Sequence, residues 1–130
     1  MSAVQRTIPL LVYDDIKAAH DFLVDVFGFG PGGVQRDGEG FVVHGEVTAG
    51  DVVLWLHRVS PEHEMTSPST MDAQSGGLVV HVKDVDAHYK HARDAGARID
   101  SEPTDQEYGQ REYGVRDPEG HRWWFATPLT

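Results

Sequence analysis

The sequence contains no cysteine, which excludes a disulfide framework, a thiolate metal site and a cysteine nucleophile. No apolar run approaches the ~18 residues that a membrane-spanning helix needs. The segment Met1-Ser2-Ala3-Val4-Gln5-Arg6 lacks the apolar core of a secretory signal, so a cytoplasmic location is expected. Positive charge is scarce: 11 Lys and Arg face 21 Asp and Glu, a formal net charge of −10. Such a chain repels phosphate backbones and anionic membranes, so neither nucleic acid nor membrane is an expected partner. The same field draws in cationic small molecules, although an acidic surface also serves plain solubility. There is no nucleophile elbow, phosphate loop or Ser-His-Asp constellation. The glycine-rich stretch Gly28-Phe29-Gly30-Pro31-Gly32-Gly33 follows a helical pattern instead of opening one, and reads as a loop.

What is present is a globular composition, 39% apolar and 25% charged over 130 residues, enough for one self-supporting core. The chain also repeats itself at a constant offset of 69: Asp15-Ile16 matches Asp84-Val85, Asp25 matches Asp94, Gly45 matches Gly114, and Leu54-Trp55-Leu56 matches Trp123-Trp124-Phe125. Each half reads as strand, helix, then three strands. Ile8 to Tyr13 is the first strand, and Asp15 caps a helix with an apolar stripe of Ile16, Ala19, Leu23, Val26 and Phe27. Gly28 and Gly30 end it. Phe41 to Val47 and Val52 to His57 are strands joined by a turn at Ala49-Gly50-Asp51. In the second half Leu78 to Val82 is the strand and Asp84 the cap. Val85, Tyr89 and Ala92 form the helical stripe, and Gly96 stops it. Arg111 to Arg116 and Arg122 to Ala126 close the half around the turn Asp117-Pro118-Glu119-Gly120. The modules span residues 1–58 and 77–130, with an exposed connector over 59–76 that its Pro61 and Pro68 keep from forming a regular helix.

The tandem βαβββ order resembles the vicinal oxygen chelate superfamily, which includes glyoxalases, extradiol dioxygenases, fosfomycin-modifying enzymes and bleomycin-resistance proteins. Three stretches carry the resemblance: Ile8 to Ile16 leading to Phe27-Gly28-Phe29, His81 to Ala87 leading to Ala95-Gly96-Ala97, and Tyr108 to Gly120 followed by His121-Arg122-Trp123-Trp124-Phe125. It implies an α+β fold in which two βαβββ modules form cupped mixed sheets around a cavity, in a homodimer. The metal-dependent members hold a cation with a His or Gln on the first strand of each half and a Glu on the last. By spacing from Asp15, Asp84 and Gly120, those four positions here are Ile8, Gly77, Trp124 and, through the offset, Trp55. None offers the oxygen or imidazole donor that a divalent cation requires, so no metal or other cofactor is expected at that site.

Strand alternation assigns the faces. Leu10, Val12, Val53, Trp55 and His57 in the first half share parity with the metal positions, as do Val79, His81, Arg122 and Trp124 in the second. Leu54, Leu56, Trp123 and Phe125 have the opposite parity and should pack beneath the helices. Trp55 and Trp124 either pack as core or line the cavity, and His57 and His81 either orient a ligand or are satisfied, part-buried histidines. If they line the cavity, the ligand set is Trp55, Trp124, His57, His81, Leu10, Val12, Val79 and Arg122, suited to a flat aromatic and, in this acidic field, cationic guest. The drug-sequestering branch of the superfamily, which binds antibiotics unaltered, is the nearest in character. The alternative is a lyase, isomerase or dioxygenase using an unconventional metal site from His44, Glu46, His57 and His81, or a His57 or His81 general base. His20, His63, His88, His91 and His121 read as surface or turn residues, and Arg111 as a partner for an acid such as Asp117.

Overall fold

The computed structural model describes residues 3–130. The chain divides between Ser67 and Pro68 into two compact units. The first contains β1 (Leu10–Tyr13), α1 (Ile16–Asp25), β2 (Gly30–Arg36), β3 (Val42–Ala49) and β4 (Val52–Arg58). The second contains β5 (Gly77–His81), α2 (Val85–Asp94), β6 (Arg98–Asp105), β7 (Gln110–Arg116) and β8 (Arg122–Pro128). Each unit is thus βαβββ, with a mixed four-stranded sheet in the order β1-β4-β3-β2 or β5-β8-β7-β6. The architecture is α+β.

Local chemistry sets the boundaries. Asp15 and Asp84 cap the helices, their Oδ1 atoms accepting from the amides of Ala18 at 3.0 Å and Ala87 at 3.1 Å. Gly28 and Gly96 follow them with φ of 80° and 87°, a region that side chains resist. In the turn before β8, Gly120 takes φ of 100° while Asp117 Oδ1 accepts from the amides of Glu119, Gly120 and His121. Val47, Leu54 and Leu56 are buried on the α1 side of the first sheet, and Val115, Trp123 and Phe125 on the α2 side of the second, in accord with the parity argument. Each such side chain contributes about 1.5–3 kcal/mol by leaving water. Trp123 Nε1 is satisfied by donating to Asp117 Oδ2 at 3.1 Å.

Several expectations are corrected. The glycine-rich stretch is not a loop beyond Gly30, but the start of strand β2. Glycine is what admits it: a Cβ at Gly32 would lie 2.2 Å from the Glu46 carbonyl oxygen of the neighbouring strand. Ile8 precedes β1 instead of opening it. The connector is not exposed throughout, since Ser60, Ser67 and Pro68 are buried, and it holds two 3-10 turns, Pro61–His63 and Pro68–Thr70. His20 is buried on α1, where its Nε2 donates to the Gly32 carbonyl at 3.0 Å and ties helix to strand. His88 is no surface residue either: its ring stacks on Phe125 at 4.0 Å, and Nδ1 shares a 2.6 Å hydrogen bond with the Tyr113 hydroxyl. Arg111 pairs with Asp86 and Asp105, because Asp117 is turned inward to Trp123. Among the described residues, no helix is long and apolar enough to cross a membrane.

Candidate functional site

The face of each sheet turned away from its helix carries the indoles. In the first unit the parallel pair β1–β4 sets Leu10 beside Trp55 and Val12 beside His57. The antiparallel pair β3–β4 sets Glu46 opposite Trp55 and His44 opposite His57. Trp55 and Leu10 are each 37% exposed, while Val12 is buried. The His44 ring meets the Trp55 ring edge to face, centroids 5.3 Å apart, and His44 Nε2 donates to Glu46 Oε2 at 3.1 Å. His57 turns the other way, its Nδ1 donating to the Arg58 carbonyl at 2.7 Å. The result is an indole in an aliphatic frame with a carboxylate at its side.

In the second unit Val79 lies beside Trp124 and His81 beside Ala126. Val79 is 58% exposed, but Trp124 is half-buried. The Arg122 guanidinium covers the indole, its Cζ 5.0 Å from the ring centroid. Arg122 also faces Arg116 across β7–β8, and Asp100 Oδ2 lies between the two cations, 2.8 Å from Arg116 Nε and 3.4 Å from Arg122 Nη2. His81 Nε2 donates to Gln110 Oε1 at 3.0 Å, Gln110 Nε2 donates to Glu112 Oε1 at 3.0 Å, and the Tyr108 hydroxyl donates to the same Glu112 oxygen. That carboxylate raises the Tyr108 pKa. Asp100, Gln110 and Tyr108 were not legible as site residues. The signal for Asp100 was two arginines due to face each other on adjacent strands, which a carboxylate must separate.

The four positions that the resemblance assigns to a cation, Ile8, Trp55, Gly77 and Trp124, do not fit one. Trp55 and Trp124 present indoles, whose only polar atom is an N–H donor. Gly77 has no side chain, and Trp124 fills the space where one would start: a Cβ there would lie 2.6 Å from Cζ3 of the ring. Of the other candidate donors, His44 and Glu46 meet, His57 Nδ1 donates to the Arg58 carbonyl and His81 Nε2 donates to Gln110. Among the described residues no three of His, Asp and Glu gather into a metal-holding group. A cavity of about 450 Å³ opens where α2 begins, lined in part by Lys83, Asp86 and Arg111, but Asp86 and Asp105 already hold that arginine.

Comparison with known proteins agrees with this fold. Residues 5–125 match the Glyoxalase/Bleomycin resistance protein/Dioxygenase superfamily. TioX from Micromonospora sp. ML1 has a similar structure, with a TM-score of 0.73 and 31% identity over 97% of this chain and 100% of that one. TnmS3, described as an antibiotic binding protein from Streptomyces sp. CB03234, is 24% identical with a TM-score of 0.76, over 98% of this chain and 99% of that one; the likeness is one of fold. The uncharacterized protein Mb0911c of Mycobacterium bovis is 29% identical over 124 residues, 93% of this chain and 82% of its own length. With two βαβββ units in tandem and a match that leaves only the two ends uncovered, the chain belongs to the Glyoxalase/Bleomycin resistance protein/Dioxygenase superfamily.

Proposed function

We propose that this protein binds a flat aromatic small molecule, an antibiotic or related aromatic natural product, and sequesters it without altering it. The observation that carries this reading is Trp55, a large aromatic left 37% exposed in mid-strand, framed by Leu10, Val12 and Val53 on the same face. Indoles stack on planar rings, and a pocket of this kind binds through apolar contact with a few polar groups for orientation. His57 adds a hydrogen-bonding group on the same strand as Trp55, and the second unit carries the matching set Val79, His81 and Trp124, with Arg122 over its indole. Two features support the binding reading. Indoles stand at both positions that the resemblance assigns to cation-binding carboxylates, and the fold is one that TnmS3, an antibiotic binding protein, also has. The competent form in this reading is a cytoplasmic homodimer; sedimentation equilibrium tests the dimer, and cell fractionation its location.

The functional test is titration with planar polycyclic antibiotics, followed by tryptophan quenching and by mass analysis of the recovered compound. The expected result is saturable binding, an unchanged ligand mass, and a loss of about 1–3 kcal/mol in Trp55→Ala. Undiminished affinity in that variant, or conversion of the ligand, would overturn the reading.

A further inference from the structure

The two units place their indoles identically against the first strand, Leu10 beside Trp55 and Val79 beside Trp124. Two residues before each indole they part. The second unit has Arg122, whose guanidinium lies over Trp124 and reaches Asp100. The first unit has Val53, which can supply no charge.

The carboxylate, by contrast, is present in both. Opposite Trp55 stands Glu46; opposite Trp124 stands Gly114. A Cβ at Gly114 would lie 3.0 Å from Ser101 Oγ, 3.4 Å from Trp124 Nε1 and 3.5 Å from the Asp100 Cβ, so Ser101 and Asp100 of β6 share the flank beside the indole. The second unit therefore holds indole, carboxylate and cation together. The first holds indole and carboxylate with the His44 imidazole against both, and has no permanently charged cation in the place of Arg122. Its Glu46 side chain is 41% exposed and its Oε1 makes no hydrogen bond among the described residues, while His44 steadies Oε2 with an N–H. A carboxylate has room for several donors, and one imidazole N–H leaves most of that capacity open.

We infer that the Trp55–Glu46 face takes from its ligand the cation that Arg122 supplies internally to Trp124. The ligand is then a planar organic cation, an aromatic system bearing an ammonium, pyridinium or guanidinium group. The inference rests on the binding reading above and narrows it. An indole face and a carboxylate together suit such a group, and a net charge of −10 steers it inward.

The test is equilibrium dialysis of the full chain against N-methylacridinium and neutral acridine under mildly alkaline conditions. These probes share one ring system and differ by a methyl group and a charge. The native protein should hold the cation about tenfold more tightly than the neutral probe. Glu46→Gln should erase that preference and leave acridine binding intact. Val53→Arg, which recreates the second unit's arrangement, should exclude the cation while melting as cooperatively as the native chain. Arg122→Ala should uncover Trp124 and raise the stoichiometry from one cation per chain to two. Equal affinity for both probes, with both lost in Trp55→Ala, would overturn the cation inference and leave the stacking reading standing. Binding unaffected by Trp55→Ala would overturn both. A preference that survives Glu46→Gln, or a stoichiometry unmoved by Arg122→Ala, would remove the equivalence on which the inference is built.

Discussion

Gly77 is the seat of Trp124. A Cβ at position 77 would lie 2.6 Å from Cζ3 of the indole and 2.7 Å from the Arg122 carbonyl oxygen on the parallel strand. The ring could swing aside, but the carbonyl cannot without disturbing the β5–β8 pairing. Gly77→Ala should therefore cost about 1–3 kcal/mol, as overpacking does. It should lower the urea midpoint with little change in slope. Gly33→Ala is the control: nothing lies within 4 Å of its Cβ position. That variant should stay within about 0.5 kcal/mol of native. Equal stability of the two variants would contradict the seat.

The offset of 69 makes the pairing of first and last strands in each sheet legible from residue spacing alone, and fails at one identifiable place. It carries Leu10 and Trp55 onto Val79 and Trp124 in the same parallel register. It does not carry β3 onto β7. Glu46 opposes Trp55, whereas Gly114, not residue 115, opposes Trp124. The cause is the hairpin. β3 and β4 close at Ala49 and Val52 around two residues, while β7 and β8 close at Arg116 and Arg122 around five. An even loop replaced by an odd one slips the register by a residue, and a slip exchanges faces. The match of Gly45 with Gly114 is thus false in space: Gly45 faces Ile16 of α1, and Gly114 faces Trp124. Strand β2 was hidden for another reason. Its first four residues are Gly30, Pro31, Gly32 and Gly33, which have no alternation to read, and the close approach to Glu46 that selects glycine is a tertiary fact. The cation over Trp124 was unreadable likewise, since nothing in one strand's sequence says that an Arg will fold back over its neighbour's ring.

Asp117 joins the β7–β8 turn to the core. One carboxylate oxygen accepts from three turn amides and the other from the buried Trp123 indole. Asp117→Ala removes the side-chain acceptor from all four donors, although the Gly120 amide keeps its bond to the backbone carbonyl of residue 117, and should cost about 2–4 kcal/mol, since buried donors that lose an acceptor bear a desolvation penalty. Asp117→Asn keeps an acceptor for the turn but sets an N–H against an N–H at Trp123, and should be the milder lesion. Chemical denaturation of both variants measures the difference. A stability for Asp117→Ala within about 0.5 kcal/mol of native, the scatter of neutral surface changes, would refute the assignment.

Tyr113 makes stability depend on pH at the alkaline end. Burial pushes its hydroxyl above the ordinary phenol range. A raised folded-state pKa means that the unfolded chain releases this proton first as pH rises. The contribution is therefore complete below the unfolded pKa of about 10 and is lost progressively above it. Tyr113→Phe cannot ionise, although it forgoes the hydrogen bond to His88. The gap in melting temperature between native protein and Tyr113→Phe should narrow from about pH 10 upward. A gap constant across that range would show that Tyr113 does not titrate differently on unfolding.

Metal offers the sharpest division between binding protein and metalloenzyme. The imidazoles and carboxylates that could replace the missing ligands do not gather into a group of three among the described residues. Glu46 accepts from His44 Nε2, the very nitrogen that a cation between them would take. His57 has turned Nδ1 to the Arg58 carbonyl, and His81 Nε2 donates to Gln110. A divalent cation taken up by His44 and Glu46 must break their hydrogen bond and displace the Nε2 proton, which lowers its affinity near neutrality, and no third His, Asp or Glu gathers with them among the described residues. Tag-free protein dialysed against nickel, zinc, iron, manganese and cobalt in turn, then against metal-free buffer, should retain far less than one equivalent of each by elemental analysis. Stoichiometric metal that disappears in His44→Ala would mean that His44 and Glu46 rearrange into a ligand pair, and the chain would then have to be assayed as an enzyme.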